Sequence, residues 1–218
     1  MTNCEERAEQ IKQIADKIEL GQITLLTGSN GSGKSLIRQQ IRFRVAKKLG
    51  GDCAPLKITA DISMAKRASS IPSLGALSGI FMDEPTDPTS LCSYSNVETL
   101  LNTFVKNTEF SKRYLVLDEP EIGMTKESQL GLALLIKENV EALLQKTYGV
   151  LIISNSEYFI SRLANIGVFL NMDGYESVDE WANRTIIPTD FSKLSKESSD
   201  LYRYFVENKK KCTNKKGE

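Results

Sequence analysis

Gln22-Ile23-Thr24-Leu25-Leu26-Thr27-Gly28-Ser29-Asn30-Gly31-Ser32-Gly33-Lys34-Ser35 runs from a short apolar strand candidate straight into G-x-x-x-x-G-K-[ST], matched at every fixed position. Leu36 to Leu49 then has helical spacing, so strand, glycine loop and helix follow in the order a phosphate loop requires. The glycines let the backbone curl with its N–H groups inward, and the loop opens a helix whose positive dipole end faces the anion. Gly28, Ser29, Asn30, Gly31, Ser32, Gly33, Lys34, Ser35 and Leu36 are therefore the expected binding residues for a nucleoside triphosphate. Lys34 is expected to reach the β- and γ-phosphates, and the Ser35 hydroxyl to hold Mg2+.

At 218 residues the chain suffices for one large domain, or a domain with an excursion. The formal charge is zero, so no global field draws it to nucleic acid or an anionic membrane. The cysteines at 4, 53, 92 and 212 form no CxxC pair, and the chain lacks histidine, which argues against a zinc cluster and for a reducing, cytoplasmic setting. Met1 to Leu20 is charged and amphipathic rather than a signal peptide, and no apolar run approaches the ~18 residues of a membrane span.

Working outward, Ala8, Ile11, Ile14, Ala15 and Ile18 form one apolar stripe on a helix over Glu5 to Glu19. Pro55 to Ile62 reads as a strand, and the Ser-, Pro- and Gly-rich stretch at 63–96 as a loop-rich excursion. Val97 to Phe110 reads as helix, Tyr114 to Leu117 as a buried strand, Lys126 to Thr147 as one long helix, and Gly149 to Ser154 as another buried strand. Glu157 to Ala164 is a helix, Gly167 to Met172 a strand, and Ser195 to Lys210 a terminal helix. This alternation predicts a single α/β domain over 1–205, a largely parallel sheet flanked by helices, with a frayed lysine-rich tail at 206–218. Trp181, the only tryptophan, is expected as a core or partner anchor.

A phosphate loop needs a carboxylate at the end of a neighbouring strand for Mg2+, and a second is useful for activating water. Two stretches offer it: Ile80-Phe81-Met82-Asp83-Glu84-Pro85 and Tyr114-Leu115-Val116-Leu117-Asp118-Glu119-Pro120. The second has the fuller strand and the better flanks, so Asp118 is assigned to the metal and Glu119 to the general base. Asp83 and Glu84 read as an acidic turn.

The phosphate loop together with Leu117-Asp118-Glu119-Pro120 resembles the ATP-binding cassette superfamily, nearest to the soluble Rad50, SMC and RecF kind. The resemblance spans roughly Gln22 to Ser156 and implies a P-loop NTPase fold, ATP with Mg2+ as cofactors, and an ATP-dependent homodimer crossed by a D-loop at Glu121-Ile122-Gly123-Met124. The departures are specific. No Leu-Ser-Gly-Gly signature is present, although Ser95-Asn96-Val97-Glu98 falls where it would lie, and Ser95 can equally cap the helix that follows. Asn155 stands in the place of the switch histidine, where an amide can bond a γ-phosphate or water but takes up no proton near neutral pH. The Q-loop glutamine is missing between Gln40 and Gln129, and preference for ATP over GTP rests on the resemblance.

The expected function is slow ATP hydrolysis by a soluble ATPase, with catalytic residues Glu119, Lys34 and Asn155, coupled to dimerisation or an unidentified protein partner in DNA-related or phage and mobile-element processes. Alternatives are a non-hydrolysing nucleotide switch, a transporter ATPase subunit, and a small-molecule kinase. A transporter cassette fits poorly, because the lost motifs are its coupling elements. A kinase lacks an arginine-rich lid, since Arg113, Arg162 and Arg184 are scattered. Arg38, Arg42, Arg44, Lys47 and Lys48 cluster on the helix after the phosphate loop, and read more readily as a solvated face than as a nucleic-acid site. The lysines at 209–211, 215 and 216 read likewise as a solubilising tail.

Overall fold

The computed structural model describes residues 3–48, 59–63, 97–99, 101–102, 113–186 and 188–214. Five strands, β1 (Ile23–Thr27), β2 (Thr59–Ser63), β3 (Arg113–Asp118), β4 (Thr147–Ile153) and β5 (Val168–Asn171), form one sheet in the order β2-β3-β4-β1-β5. Every pairing is parallel. The expected α/β fold with a largely parallel sheet flanked by helices is therefore present.

The sheet is apolar on both faces, as a parallel sheet between helices must be. Ile23, Leu25, Leu115, Leu117, Val150 and Ile152 face one core with helices α3 (Lys126–Glu138), α4 (Val140–Lys146), α5 (Glu157–Leu163) and α6 (Val178–Ala182). The alternate residues Leu26, Tyr114, Val116, Leu151 and Ile153 face a second core with α1 (Asn3–Asp16), α2 (Lys34–Lys48) and Leu201 of α7 (Phe191–Asn214). The period of two along each strand thus sorts its side chains between the layers. Trp181 is buried in the first core, and the stripe Ala8, Ile11, Ile14, Ala15 and Ile18 is buried as its spacing requires.

Several boundaries differ from the sequence reading. The single helix over 126–147 is two, broken at Asn139, whose side-chain amide donates to Leu135 O at 2.8 Å and whose backbone leaves helical geometry at φ −104°, ψ 3°. Asparagine favours such a stop because its side chain competes for backbone partners. Thr147 consequently opens β4 instead of closing a helix. The last helix begins at Phe191, ahead of Ser195, and continues to Asn214, so residues 206–214 are helical where a frayed tail was expected. Its earlier start follows Asp190, whose carboxylate accepts the N–H groups of Ser192 and Lys193. Helix is present at 97–99 and 101–102, whereas the excursion at 64–96, with Asp83, Glu84 and Ser95, lies outside the described residues. Among the described residues no helix is long and apolar enough to cross a membrane.

Register fixes where the site must lie. Leu26 pairs with Ile153, Ile153 with Asp118, and Thr27 with Asn171, so β1, β3, β4 and β5 end at one level. A register irregularity between Arg113 and Tyr114 sets that level, and Gly149 (φ 138°) leaves room for the Tyr114 ring, which a Cβ there would meet at 2.8 Å. The ladder continues one residue further through Glu119 N to Ile153 O at 2.8 Å, Ser154 N to Leu26 O at 3.1 Å and Met172 N to Thr27 O at 2.9 Å. The residues that follow these strands meet at the carboxyl edge of the sheet, where open α/β sheets bind their ligands.

Candidate functional site

The loop after β1 is a closed curl. Gly28 (φ 150°) passes so near β5 that an added Cβ would stand 2.6 Å from Met172 Cβ, so glycine is required by space as well as by conformation. Leu36 and Ile37 donate their N–H groups to Gly33 O at 2.9 and 3.1 Å, which starts α2 directly behind the loop. Lys34 Nζ folds back to Gly28 O and Ser29 O at 2.7 and 2.9 Å. α7 covers the loop tip, with Leu194 and Ser198 against Gly31. Arg7 of α1 braces that helix by pairing with Glu197 at 3.2 Å.

The acidic corner is built differently. Asp118 ends β3, and Glu119 then turns out of the strand at φ 51°, the only non-glycine residue with positive φ among those described. This conformation costs an ordinary side chain on the order of 1–2 kcal/mol, and such cost concentrates at functional sites. Asn155, just beyond β4, donates its amide to Glu119 Oε1 at 2.9 Å and to Asn30 Oδ1 of the phosphate loop at 3.3 Å. Because β4 is inserted between β3 and β1, its end bridges the other two. The sequence brought Asn155 forward by its place after the strand, and the structure sets it between the two motifs.

The charges of the two segments also lie close together. Burial lowers the pKa of the Lys34 ammonium, and the nearby carboxylates of Glu119, Asp173 and Asp118 oppose that shift. The phosphate-loop lysine thus shares one field with both assigned acids. Ser35 lies in the first turn of α2, and Arg38, one turn along that helix, contacts Asp118 Oδ2 at 2.5 Å. Asp118 therefore lies against the start of α2. One hydroxyl and one carboxylate suit Mg2+, which takes few protein ligands and completes its octahedron with water and phosphate oxygens.

Five residues were missed or misjudged in sequence. Arg38 and Arg44 are engaged instead of forming a free basic face: Arg38 with Asp118, and Arg44 with Asp16 at 2.7 Å. The side chains of Arg42, Lys47 and Lys48 lie outside the described residues. Asp173, in the turn after β5, accepts Ser29 N at 2.6 Å and Ser29 Oγ at 2.9 Å. Asn171 sets that turn by donating to Thr27 Oγ1 and accepting from Asp173 N, both at 2.7 Å. An Asp-Gly pair after a strand reads as an ordinary turn, so nothing local singled out Asp173.

Glu121 is the fifth. Within the segment read as a D-loop, Glu121 and Met124 are buried at 6% and 8% exposure, and Ile122 is exposed at 42%. The Glu121 carboxyl accepts the Ser154 hydroxyl, and the same oxygen of Ser154 accepts Ser156 N–H at 3.0 Å. Ser156 Oγ donates to Gln129 Oε1 at 2.6 Å, and Gln129 Nε2 donates to Met124 O at 3.1 Å. This ring of bonds ties the turn after β3 to the turn after β4 and so holds Asn155 between its neighbours. Burial pushes the Glu121 pKa up to about 7, the Ser154 bond opposes that rise and Glu119 adds to it.

No family model matches the chain, and neither does any curated protein. Among solved structures, it is similar to the Aeropyrum pernix ORC2 protein, determined as ADPNP-ADP complexes, at 15% identity and a TM-score of 0.35. It is also similar to C. elegans PCH-2, at 13% identity and a TM-score of 0.31. The overlap covers 77% of this chain in both cases, but 46% and 41% of those proteins, less than half of either. Likeness this faint carries no argument about activity; the geometry of the site does.

Proposed function

We propose that the chain binds ATP with Mg2+ and hydrolyses it slowly, as an ATPase of the cassette type nearest the Rad50, SMC and RecF kind. The observation that carries this reading is Asn155, whose one amide contacts both Glu119 and the phosphate-loop residue Asn30. That contact joins the glycine loop and the acidic turn at one edge of the sheet, which supports a site where phosphate binding and acid–base chemistry meet.

The roles follow from the chemistry of each group. The N–H groups of Gly28 to Ser35 cradle phosphate oxygens, and Lys34 leaves its own loop carbonyls to neutralise the β- and γ-phosphates. Ser35 and Asp118 would hold Mg2+, which when bound neutralises charge on the phosphate oxygens. Glu119 takes the proton of the attacking water, and Asn155 orients that carboxylate through Oε1. Replacing Glu119 with Gln keeps the shape and the amide contact but removes the base. Phosphate release should fall by about 10²- to 10⁴-fold while ATP affinity is kept, and unchanged turnover would refute the assignment.

A second reading, a nucleotide switch without turnover, is favoured by the same contact, because the group that touches both Glu119 and Asn30 is an amide, which takes up no proton near neutral pH. Wild-type phosphate release no faster than that of Glu119→Gln would select it. The ATP-dependent homodimer is tested on Glu119→Gln by its mass in solution with and without Mg-ATP; a doubled mass supports the cassette mechanism. An unchanged mass with ATP bound directs attention to a protein partner.

A further inference from the structure

We infer that Arg38 is a positioning residue that guards the metal-binding carboxylate, making entry of a divalent cation depend on the triphosphate. The inference rests on the reading of Asp118 as the metal ligand. Arg38 Nη1 stands 2.5 Å from Asp118 Oδ2, with the two side chains 23% and 18% exposed. A charge-assisted contact this close and this sheltered is strong and weakly screened by salt.

Its placement is what gives it a role. Arg38 follows Ser35 by three residues on α2, so the two share a helix face, from which the guanidinium reaches the end of β3. Asp118 is followed directly by Glu119, so two adjacent carboxylates lie at the end of β3, where a nearby cation is favourable. An oxygen bonded to a guanidinium is a poor ligand, since a divalent cation there would meet the positive charge of Arg38 at van der Waals range. A triphosphate changes that balance. Its oxygens offer Arg38 another anion, to which a guanidinium is well suited, and Asp118 is released for the metal. Free divalent cation is thereby kept out while the cation that arrives with nucleotide is admitted.

The test uses the full chain and Mn2+ alone as probe, with affinity read from the paramagnetic signal of the free ion, with and without ATP. Arg38→Met keeps the length of the stem and removes the charge; it should bind Mn2+ about tenfold tighter than wild type without nucleotide. Arg38→Lys should fall between them. The ratio of Mn2+ affinities with and without ATP should shrink in Arg38→Met, and by reciprocity so should the effect of Mn2+ on ATP affinity. Asp118→Asn separates the two levels. If it abolishes Mn2+ binding while Arg38→Met and Arg38→Lys match wild type, the guard is overturned and Asp118 stands as the ligand. If Asp118→Asn leaves Mn2+ binding unchanged, the metal assignment itself fails and the guard with it. Far-ultraviolet circular dichroism on each variant confirms the fold, and Arg38→Lys carries the test alone if Arg38→Met does not fold.

Discussion

The loop after β1 and the turn after β3 share one edge of the sheet, yet they are built on opposite plans. The loop owes its shape to its own residues: glycines with positive φ, a lysine bonded to the carbonyls it encloses, and a helix starting at once behind it. The acidic turn owes its shape to others: Asn155 and Ser154 from the turn after β4, Gln129 from α3 and Arg38 from α2. A local motif can be recognised from its letters because nearly all its partners are in them. A corner assembled from four segments has its chemistry set by distance in space.

The largest effect should fall on the self-built side. Lys34→Ala removes the ammonium proposed to reach the phosphates, and nucleotide affinity should drop by about 100-fold or more in a calorimetric titration, with little change in melting temperature. Unchanged affinity would dissolve the contrast, because the loop would then not be the binding element.

Glu121→Gln probes the assembled side through pH. The folded pKa is raised from 4.5 to about 7, so the native state holds a proton that the unfolded state releases between those values. Wild-type stability therefore declines as pH rises through that window, and below about 4.5 the group contributes nothing either way. The amide retains the Ser154 contact without the charge, so the variant should gain on the order of 2–3 kcal/mol over wild type at pH 8 and nothing at pH 4. Urea melts at the two values read the difference, and a gain independent of pH would mean that burial of charge is not what Glu121 costs.

Asp173→Asn is the mildest test and the sharpest for the contrast, since Asp173 is the one acid that the assembled plan places on the self-built loop. Removing its charge while keeping an acceptor for Ser29 should tighten ATP binding about two- to fivefold at low salt, with the gain fading above physiological ionic strength. A weakened affinity would instead show that Ser29 needs the carboxylate to hold the loop in shape.

Much of the fold was legible because burial on two faces writes continuous apolar runs, and those at Ile23 to Thr27, Tyr114 to Leu117 and Val150 to Ile153 lie in β1, β3 and β4. The break at Asn139 was not, because apolar spacing persists through both helices and only the amide bond to Leu135 O marks the stop. Nor was the pairing of Arg38 and Arg44. A cation run along a helix looks alike whether it faces water or carboxylates, and which it faces depends on segments far along the chain.

By itself, then, the sequence marked out the glycine loop, the layered α/β plan and Asp118 and Glu119 as the candidate acidic pair, since each rests on patterns within short stretches of chain. Only the tertiary structure decided that β4 lies between the strands carrying the two motifs, and with it the contacts of Asn155, Glu121, Asp173 and Arg38. Parallel strands must be joined by crossovers, so neighbours in the sheet are distant in the chain, and no local pattern records which strand ends will meet.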